Sequence, residues 1–167
     1  MSGPPFRLAA LAAEHDRSTF DCGCESLDSY FRQQVTQDVR RRLTSCFVAV
    51  TSAQRVAGYY TVAAAGVPLV DLPASIAQKL PRYPSVPAVR MGRLAVDRQF
   101  KGQGLGGALL ADALTLATRA QIAAYALVVD AKDESAAGFY RHHGFIALPN
   151  APLTLFLPLA TAQALRG

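Results

Sequence analysis

The 167-residue sequence is poor in cysteine and in charged residues, and it contains no long apolar run. Its three cysteines are odd in number, and the close pair reads C-G-C, not C-x-x-C, so neither a zinc site nor a disulfide framework is indicated. Reduced thiols in a cytosolic protein are the default for such a pattern. The apolar patch near the N-terminus, about six residues with no basic region before it, is too short for a signal peptide or a membrane span. We therefore expect a cytoplasmic protein with no membrane partner and no bound metal.

What the chain does contain favours one folded domain. Hydrophobic residues make up 51% of it and charged residues only 17%, which argues against disorder. No repeat, low-complexity segment or linker interrupts it, so we expect a single domain over residues 1–167. The net charge of +5 and the pI of about 9.4 favour a polyanionic partner, either a nucleotide cofactor or a nucleic acid. A basic surface that serves only solubility is the alternative.

Hydrophobic periodicity and turn residues predict the element order β-α-β-β-β-α-β-α-β. Strands are expected at 6–12, 45–51, 55–65, 89–96, 124–129 and 153–157. Helices are expected at 25–42, capped by Ser26, at 105–121, and at 134–142, which ends before Gly144. The predicted buried stripe of the second helix is Leu105, Leu109, Ala113, Leu116 and Ala120. Residues 66–88, which hold five prolines, are expected to form a loop beside a site, with one helical turn near 74–79.

A glycine-rich stretch, Q-F-K-G-Q-G-L-G at residues 99–106, lies between a predicted strand and a predicted helix. Glycines allow the backbone to approach a ligand closely, and the first amides of the helix then favour a diphosphate. No Gly-Lys-Ser/Thr follows, so the stretch is not a P-loop, and its spacing is not the G-x-G-x-x-G of dinucleotide folds. A purely structural loop is the alternative that this stretch alone leaves open.

A second segment, D-E-S-A-A-G-F-Y-R-H-H-G-F at residues 133–145, joins this signal. Together the two blocks resemble the GNAT superfamily of N-acetyltransferases. Its pyrophosphate pattern, Gln/Arg-x-x-Gly-x-Gly/Ala, is matched at Gln99, Gly102 and Gly104, and its late helix at Tyr140, Gly144 and Phe145. The resemblance implies an α/β (α+β) fold with a mixed, mostly antiparallel sheet flanked by helices. It also implies acetyl-CoA as the co-substrate.

The resemblance further implies which residues contact acetyl-CoA. The amides of the glycine loop would hold the pyrophosphate, and the strand at 94–96 would hydrogen-bond the pantetheine arm. Many relatives have an asparagine that contacts CoA at the position of Asp133. Aspartate there departs from the family pattern, and Ser135 is expected to share the contact with CoA. The expected cofactor-binding residues are Leu94, Ala95, Val96, Gln99, Lys101, Gly102, Gln103, Gly104, Leu105, Gly106, Asp133 and Ser135.

Acetyl transfer needs a neutral amine and a proton for the departing thiolate. Tyr140 is the candidate general acid, since a phenol has a pKa of about 10 and a thiol one of about 8.5; a core aromatic beside Phe139 is the alternative. The central strand lacks the glutamate that many relatives place there. Asp97 and Glu134 are either available bases or solvated carboxylates, and the paired histidines 142–143 are more typical of a helix end. The absence of an evident general base favours an α-amine acceptor, whose pKa of about 7.7–8.0 leaves it often neutral, over a lysine side chain with a pKa of about 10.4.

Four further blocks are similar to the toxin branch of this superfamily: F-D-C-G at 20–23, L-D-S-Y-F at 27–31, G-Y-Y at 58–60 and G-R-L-A-V-D at 92–97. The likeness implies a toxin that acetylates the amino group of aminoacyl-tRNA and blocks translation. It also implies neutralisation by a ribbon-helix-helix antitoxin. The superfamily often forms dimers, so a homodimer is expected, with the apolar segment 151–159 serving either an interface or the sheet.

Basic residues are expected to bind the phosphates of the tRNA by charge, independently of sequence. The expected set is Arg40, Arg41, Arg42, Lys79, Arg82, Arg90 and Arg93. A solvated helix end, the 3′-phosphate of CoA and internal ion pairs are alternative uses for some of them. Two other functions stay open: a GNAT enzyme acting on a small amine or protein N-terminus, and a non-catalytic CoA-binding module.

Overall fold

A computed structural model describes residues 6–166, with side chains up to residue 162. The strands are β1 Phe6–Ala10, β2 Ser45–Thr51, β3 Val56–Pro68, β4 Ser85–Val96, β5 Ala126–Asp130, β6 Ile146–Leu148 and β7 Ala151–Pro158. The helices are α1 Glu25–Ser29, α2 Val35–Arg40, α3 Ala74–Ala77, α4 Leu105–Arg119, α5 Glu134–His142 and α6 Leu159–Arg166. A π-helical turn, Tyr30–Gln34, joins α1 to α2, and 3₁₀ turns occupy Leu69–Asp71 and Arg98–Phe100. Within the described chain, no helix has both the length and the apolar character needed to cross a membrane.

The seven strands form one sheet in the order β1-β2-β3-β4-β5-β7-β6. The pair β4–β5 is parallel, in register from Ala88↔Ala126 to Met91↔Val129. The pairs β1–β2, β2–β3, β5–β7 and β6–β7 are antiparallel. The sheet is therefore mixed and mostly antiparallel, with flanking helices, which confirms the predicted fold class.

Two compact units make up the described chain: residues 6–63 with 92–113, and residues 64–91 with 114–166. The first unit has an aromatic core in which Phe31 stacks on Tyr59 at 4.1 Å, while Phe20 meets both rings edge-on. The core of the second unit includes Val86, Val128 and Phe156. A single domain over residues 1–167 stays a prediction.

The helix predicted at 25–42 is correct in position but wrong in detail. Its N-cap is Cys24 rather than Ser26, and no side chain caps it. The π-helical turn interrupts it, and α2 ends at Arg40, because Arg42 has a φ of 60° and leaves the helical path. Phe31 lies in the π-helical turn and is fully buried against Tyr59.

The predicted loop at 66–88 is shorter than expected. Strand β3 continues to Pro68 and β4 begins at Ser85, and only the first 3₁₀ turn and α3 stand between them. Proline lacks an N–H but still accepts through its carbonyl. Tyr125 N donates to the Pro87 carbonyl at 2.7 Å, and Leu69 N donates to that of Pro84 at 3.1 Å. The five prolines therefore led to a predicted loop that is longer than the observed one.

The buried stripe predicted for α4 is correct for its first two turns only. Leu116 is 36% exposed and Ala120 is exposed beyond the helix end, whereas Leu110, Leu114 and Ala117 are buried. A regular helix has 3.6 residues per turn, and the stripe continues from Ala113 by a step of four, to Ala117. Strand β6 and helix α6 have no counterpart among the predicted elements. Segment 151–159, expected to serve either an interface or the sheet, lies in β7 and the start of α6.

Candidate functional site

The turn from β4 into α4 has a defined geometry. Asp97 follows β4, donates its N–H to the Ala57 carbonyl at 2.8 Å, and accepts Gln99 N at Oδ1 at 3.0 Å, so that it caps the 3₁₀ turn 98–100. Gly102 and Gly104 then adopt φ values of +80° and +79°. Such left-handed conformations favour glycine, because a Cβ would make them strained.

The glycine loop, residues 101–104, is exposed, and no atom lies within 4 Å of the position that a Cβ of Gly102 or Gly104 would take. The first helical bond of α4 runs from Ala108 N to the Gly104 carbonyl at 3.1 Å. Amides in the first turn of a helix have no intrahelical acceptor, and with the helix dipole they favour an anion. The loop is therefore built as the predicted pyrophosphate site would require.

The Lys101 side chain has another partner. Its Nζ donates to the Cys22 carbonyl at 2.8 Å, so the ammonium is held by the N-terminal block. The backbone amides of this stretch, rather than the Lys101 ammonium, are therefore the groups that it would offer to a diphosphate.

The residues at the end of β4 alternate between two clusters. Leu94 and Val96 pack on a cluster that includes Leu105 and Leu109, whereas Ala95 is buried in the cluster that contains Tyr59. This alternation follows from the two-residue period of a strand. With their side chains committed to packing, these residues have only peptide groups to offer the predicted pantetheine arm.

In the second unit, Asp133 is the N-cap of α5. Its Oδ1 accepts Ala136 N at 2.8 Å. Asparagine and aspartate are about equally good N-caps, which gives a physical reason for either residue at this position. Ser135 is exposed in the first turn of the same helix. Asp133 therefore caps α5 in the structure, in addition to any contact that it makes with CoA.

Tyr140 lies on α5 and is 4% exposed. Its ring packs against Phe139 and Phe145, with centroids 5.3 and 5.7 Å away. Burial raises the pKa of the Tyr140 phenol well above its usual value, and the charge of Asp130 raises it further. The hydroxyl therefore stays protonated throughout the working pH range, as a hydrogen-bond donor must.

The carboxylates considered as bases are engaged elsewhere. Asp97 is 2% exposed rather than solvated, which corrects one alternative, and its Oδ2 accepts Asp21 N at 3.0 Å. Glu134 forms an ion pair with Arg141. His143 is the C-cap residue of α5, and burial together with the charge of His142 lowers its pKa. These contacts fit structural roles for all three groups.

Two of the predicted phosphate-binding arginines have defined partners. Arg93 lies over the ring of Tyr30, with its guanidinium carbon 3.4 Å from the centroid, and Tyr30 donates to Asp38 at 2.7 Å. Arg90 instead forms a bidentate pair with Asp130 at 2.7 and 2.9 Å. The internal ion pair, one of the alternatives, is therefore the observed state of Arg90.

The other predicted basic residues are exposed. Hydrogen bonds from Tyr30 and then Gln34 lower the pKa of Asp38, and the charges of Arg93 and Arg41 lower it further, so the two arginines lie near one carboxylate. The exposed set comprises Arg40, Arg41 and Arg42 in the first unit and Lys79 and Arg82 in the second. Sequence reasoning missed Tyr30 and Asp38, whose only signal was their place in or near the L-D-S-Y-F block.

No cluster of three or more His, Cys, Asp or Glu residues suited to a metal ion occurs among the described residues. Cys22 and Cys46 are buried, and burial raises the pKa of Cys22 to about 11 and that of Cys46 to about 12. These two thiols are therefore protonated at neutral pH and poor nucleophiles.

A glycine turn that leads from a strand into a long helix, and a late helix that carries a buried tyrosine, are the features of an acetyl-CoA-dependent N-acetyltransferase. Residues 42–147 match the Acetyltransferase (GNAT) domain family. The chain belongs to this family, and with it to the enzymes that transfer an acetyl group from acetyl-CoA to an amine.

Similar proteins include a tRNA-acetylating toxin of Mycobacterium tuberculosis, 36% identical over 154 residues that cover 91% of each chain. The solved structure of AtaT complexed with acetyl-methionyl-tRNAfMet has a TM-score of 0.88 and 30% identity, and covers 97% of this chain and 99% of that one. A mutant AtaT toxin bound to the C-terminus of the antitoxin AtaR and acetyl-CoA has a TM-score of 0.82 and 26% identity, covering 98% and 99%.

Proposed function

We propose that the protein is a toxin that transfers the acetyl group of acetyl-CoA to the α-amine of aminoacyl-tRNA, and thereby blocks translation. One observation carries the proposal: the chain matches AtaT, solved with acetyl-methionyl-tRNAfMet, over 97% of its own length and 99% of the other, with a TM-score of 0.88. An enzyme for a small amine would need no such likeness to a tRNA-bound protein over its whole length.

Acetyl-CoA is the donor, and its thioester supplies the activated acyl group. We assign its pyrophosphate to the amides of residues 101–106 and to Gln99, because this loop is open and leads into the N-terminus of α4. Peptide groups of residues 94–96 are assigned to the pantetheine arm. Asp133 and Ser135 remain candidates for contact with CoA from the start of α5, Ser135 through its exposed side chain.

In the proposed reaction, the acceptor nitrogen attacks the acetyl carbonyl carbon and forms the amide bond. The carbon–sulfur bond breaks, and its electron pair stays on sulfur. The nitrogen loses one proton and the sulfur gains one. Tyr140 relays it: the phenol donates to the thiolate and recovers a proton from the attacking nitrogen. Burial raises the pKa of Tyr140, whereas the thiol has a pKa of about 8.5, so transfer of the phenol proton to the thiolate is unfavourable by itself. The proton that Tyr140 takes up from the attacking nitrogen completes the step.

The acceptor is proposed to arrive as the neutral amine, so that no enzymic base is needed to deprotonate its ammonium form before the attack. Of the two carboxylates considered for that task, Asp97 is buried with backbone N–H groups on both oxygens, and Glu134 is an exposed residue paired with Arg141. An α-amine has a pKa of about 7.7–8.0, and an aminoacyl ester lowers it by induction, so a large fraction is neutral at pH 7. This supports an aminoacyl ester as the acceptor over a lysine side chain.

Arg93 is the proposed principal contact for the phosphates of the tRNA acceptor end, and Arg41 a second one. Both act near Asp38, and the ring of Tyr30 holds the Arg93 guanidinium in place. Exposed cations of the remaining set, Arg40, Arg42, Lys79 and Arg82, add charge. Arg90 is given no such role, because both of its hydrogen bonds go to Asp130.

A cognate antitoxin is proposed to neutralise the toxin, since an AtaT toxin binds the C-terminus of the antitoxin AtaR. We propose that this antitoxin also carries a ribbon-helix-helix DNA-binding part, as the sequence resemblance implies. A homodimer and a cytoplasmic location complete the proposal. Charged tRNA and acetyl-CoA are both available in the cytoplasm.

The test is to incubate the purified protein with acetyl-CoA and charged tRNA, and to analyse the aminoacyl adenosine released by nuclease digestion by mass spectrometry. The expected product is heavier by one acetyl group, and Tyr140→Phe should form it far more slowly. Acetylation of free amino acids or of protein N-termini, with charged tRNA left unmodified, would refute the tRNA function while preserving the N-acetyltransferase. Growth arrest that persists with Tyr140→Phe would point to a non-catalytic module.

A further inference from the structure

The block F-D-C-G lies against the turn that precedes the glycine loop. Asp21 N donates to Asp97 Oδ2 at 3.0 Å, and the Asp21 carbonyl accepts Arg98 N at 2.9 Å. Lys101 Nζ donates to the Cys22 carbonyl at 2.8 Å. We call this set of hydrogen bonds the 21–101 clasp. It joins two segments that are almost eighty residues apart in sequence, and it ends where the loop begins.

Asp97 is the centre of the clasp. It is 2% exposed, and each of its carboxylate oxygens accepts one backbone N–H, that of Gln99 at Oδ1 and that of Asp21 at Oδ2. The Arg55 guanidinium lies 3.8 Å from Oδ1. A buried carboxylate is tolerated only with such partners, and its charged hydrogen bonds are about twice as strong as neutral ones. Asp97 therefore fixes the turn to the N-terminal block.

The other half of the clasp is itself anchored. Cys22 N donates to Oδ1 of Asp28, a buried residue of α1, at 2.8 Å. Gly23 has a φ of +93°, a left-handed conformation that favours glycine, and a Cβ there would lie 3.3 Å from Nε of the exposed Arg98 side chain. The glycine loop, by contrast, has no atom near the Cβ positions of Gly102 or Gly104. Its conformation is therefore set from its ends.

We propose that Asp97 and Lys101 are positioning residues for acetyl-CoA, which act by holding the glycine loop through the 21–101 clasp. This inference rests on the proposed binding of the pyrophosphate by residues 101–106. A loop that is already ordered loses less conformational entropy when a ligand binds, so the clasp lowers the KM for acetyl-CoA without taking part in the chemistry. It also gives the F-D-C-G block a function.

The variant Asp97→Asn separates this role from a simple charge effect. Removal of a negative charge near an anion would by Coulomb's law strengthen binding. The clasp predicts the opposite, because the amide NH₂ of asparagine cannot accept the second backbone N–H. The KM for acetyl-CoA should rise about tenfold while kcat stays within about twofold, the size expected for one lost hydrogen bond to a charged group.

Hydrogen exchange on the cofactor-free protein gives a second readout. The amides of Asp21 and Gln99 are both bonded to Asp97. In Asp97→Asn, the one of them that faces the side-chain NH₂ should exchange about tenfold faster. A merely structural role would lower the fraction of folded enzyme and leave the KM unchanged. Acetyl-pantetheine, which lacks the diphosphate, should show the same KM for the variant and the wild type.

Lys101→Met and Arg98→Met form a matched pair, since each removes one cation from the same turn. Arg98 forms an ion pair with Asp21 in which the side chains are 64% and 55% exposed, and such a pair contributes little. The clasp predicts a raised KM for acetyl-CoA in Lys101→Met only. Lys101 is exposed, so this variant carries the test if Asp97→Asn does not fold.

An unchanged or lowered KM in Asp97→Asn, together with wild-type amide exchange, would overturn the proposal. Equal effects of Lys101→Met and Arg98→Met would also overturn it, because they would indicate charge alone. If the wild-type protein itself fails to bind acetyl-CoA, the pyrophosphate assignment fails, and the exchange of the Asp21 and Gln99 amides still decides whether the clasp orders the turn.

Discussion

The guanidinium carbon of Arg93 lies over the ring of Tyr30, 3.4 Å from its centroid, while the Tyr30 hydroxyl donates to Asp38 at 2.7 Å. A cation held over an aromatic face keeps its charge and loses little of its donor capacity, because stacking uses the face of the guanidinium and not its N–H edges. Arg93 can therefore be fixed in place and still bind a phosphate.

Replacing Arg93 by glutamine should weaken the binding of charged tRNA and make it less sensitive to salt. Each phosphate contact contributes about one unit to the slope of log K against log salt, so the slope should fall by about one. The measurement is the KM for charged tRNA between about 50 and 200 mM salt. Arg90→Gln is the matched control, since Arg90 lies on the same strand as Arg93 but its guanidinium is paired with Asp130. A control slope that falls as much would show that Arg93 has no special place in tRNA binding.

Tyr140→Phe removes one hydroxyl from a buried ring that keeps its contacts with Phe139 and Phe145. A positioned proton donor contributes about 10²–10⁴-fold to a rate, so kcat should fall by that factor. The KM for acetyl-CoA and the melting temperature should change little, because the packing is preserved. Rapid-quench acetylation of charged tRNA measures the chemical step directly. A kcat within about threefold of the wild type would leave Tyr140 as a core aromatic only.

The glycine at position 104 is required for its backbone conformation, not for space. Its φ is +79°, and a Cβ there would meet no atom within 4 Å. Alanine in the left-handed region costs about 1–2 kcal/mol, and the loop can relieve that strain by leaving its binding conformation. Gly104→Ala should therefore weaken acetyl-CoA binding about tenfold, as measured by calorimetry. Gly104→Asn should be milder, since asparagine tolerates this region; equal losses would contradict the conformational explanation.

Local patterns in the sequence predicted most of the fold, and the reason is visible in particular elements. Strand β2 and helix α5 were placed at their observed bounds because period and end signals coincide there, with Gly144 at a φ of +93° after the helix. The π-helical turn was not predictable in this way. It depends on where Phe31 meets Tyr59, a contact between residues far apart in the chain.

The same limit applies to the candidate site. The residues that form the glycine loop are adjacent in sequence, so a motif could identify them. Lys101 and Cys22, however, are 79 positions apart, and Arg90 and Asp130 are 40 apart. The sequence pattern pointed to the Lys101 amide for the pyrophosphate and to the Arg90 guanidinium for tRNA phosphates. The observed partners of the two side chains could not be predicted, because they come from segments distant in sequence.

Two glycine-to-alanine substitutions should have opposite effects on stability. A Cβ at Gly58 would lie 2.9 Å from Leu109 Cδ1 and 3.0 Å from the Ala95 carbonyl oxygen, so Gly58→Ala forces a shift of packed atoms and should cost about 1–3 kcal/mol. Gly138 lies inside α5, where a Cβ would meet Arg141 at an ordinary 3.8 Å. Gly138→Ala should therefore stabilise the protein by about 0.5–1 kcal/mol. Urea unfolding measures both, and the idea fails if the two shifts have the same sign.

The pH dependence of kcat/KM should report the acceptor amine and not the enzyme. Activity should rise with pH as the α-ammonium of the acceptor, with a pKa below about 8, loses its proton. On the alkaline side a general acid must stay protonated. Because burial raises the pKa of Tyr140, no loss from its ionisation is expected below about pH 10.

The measurement uses aminoacyl-adenosine analogues joined by an amide, which removes alkaline ester hydrolysis from the profile. Two analogues whose amine pKa values differ by about one unit should give ascending limbs that differ by the same amount, since one proton is lost in each case. An ascending limb near pH 6–7 that stays fixed when the acceptor is changed would instead belong to a group on the enzyme. In that case a base acts in the reaction, and His143, whose pKa is lowered by burial and by the charge of His142, would be the first residue to substitute.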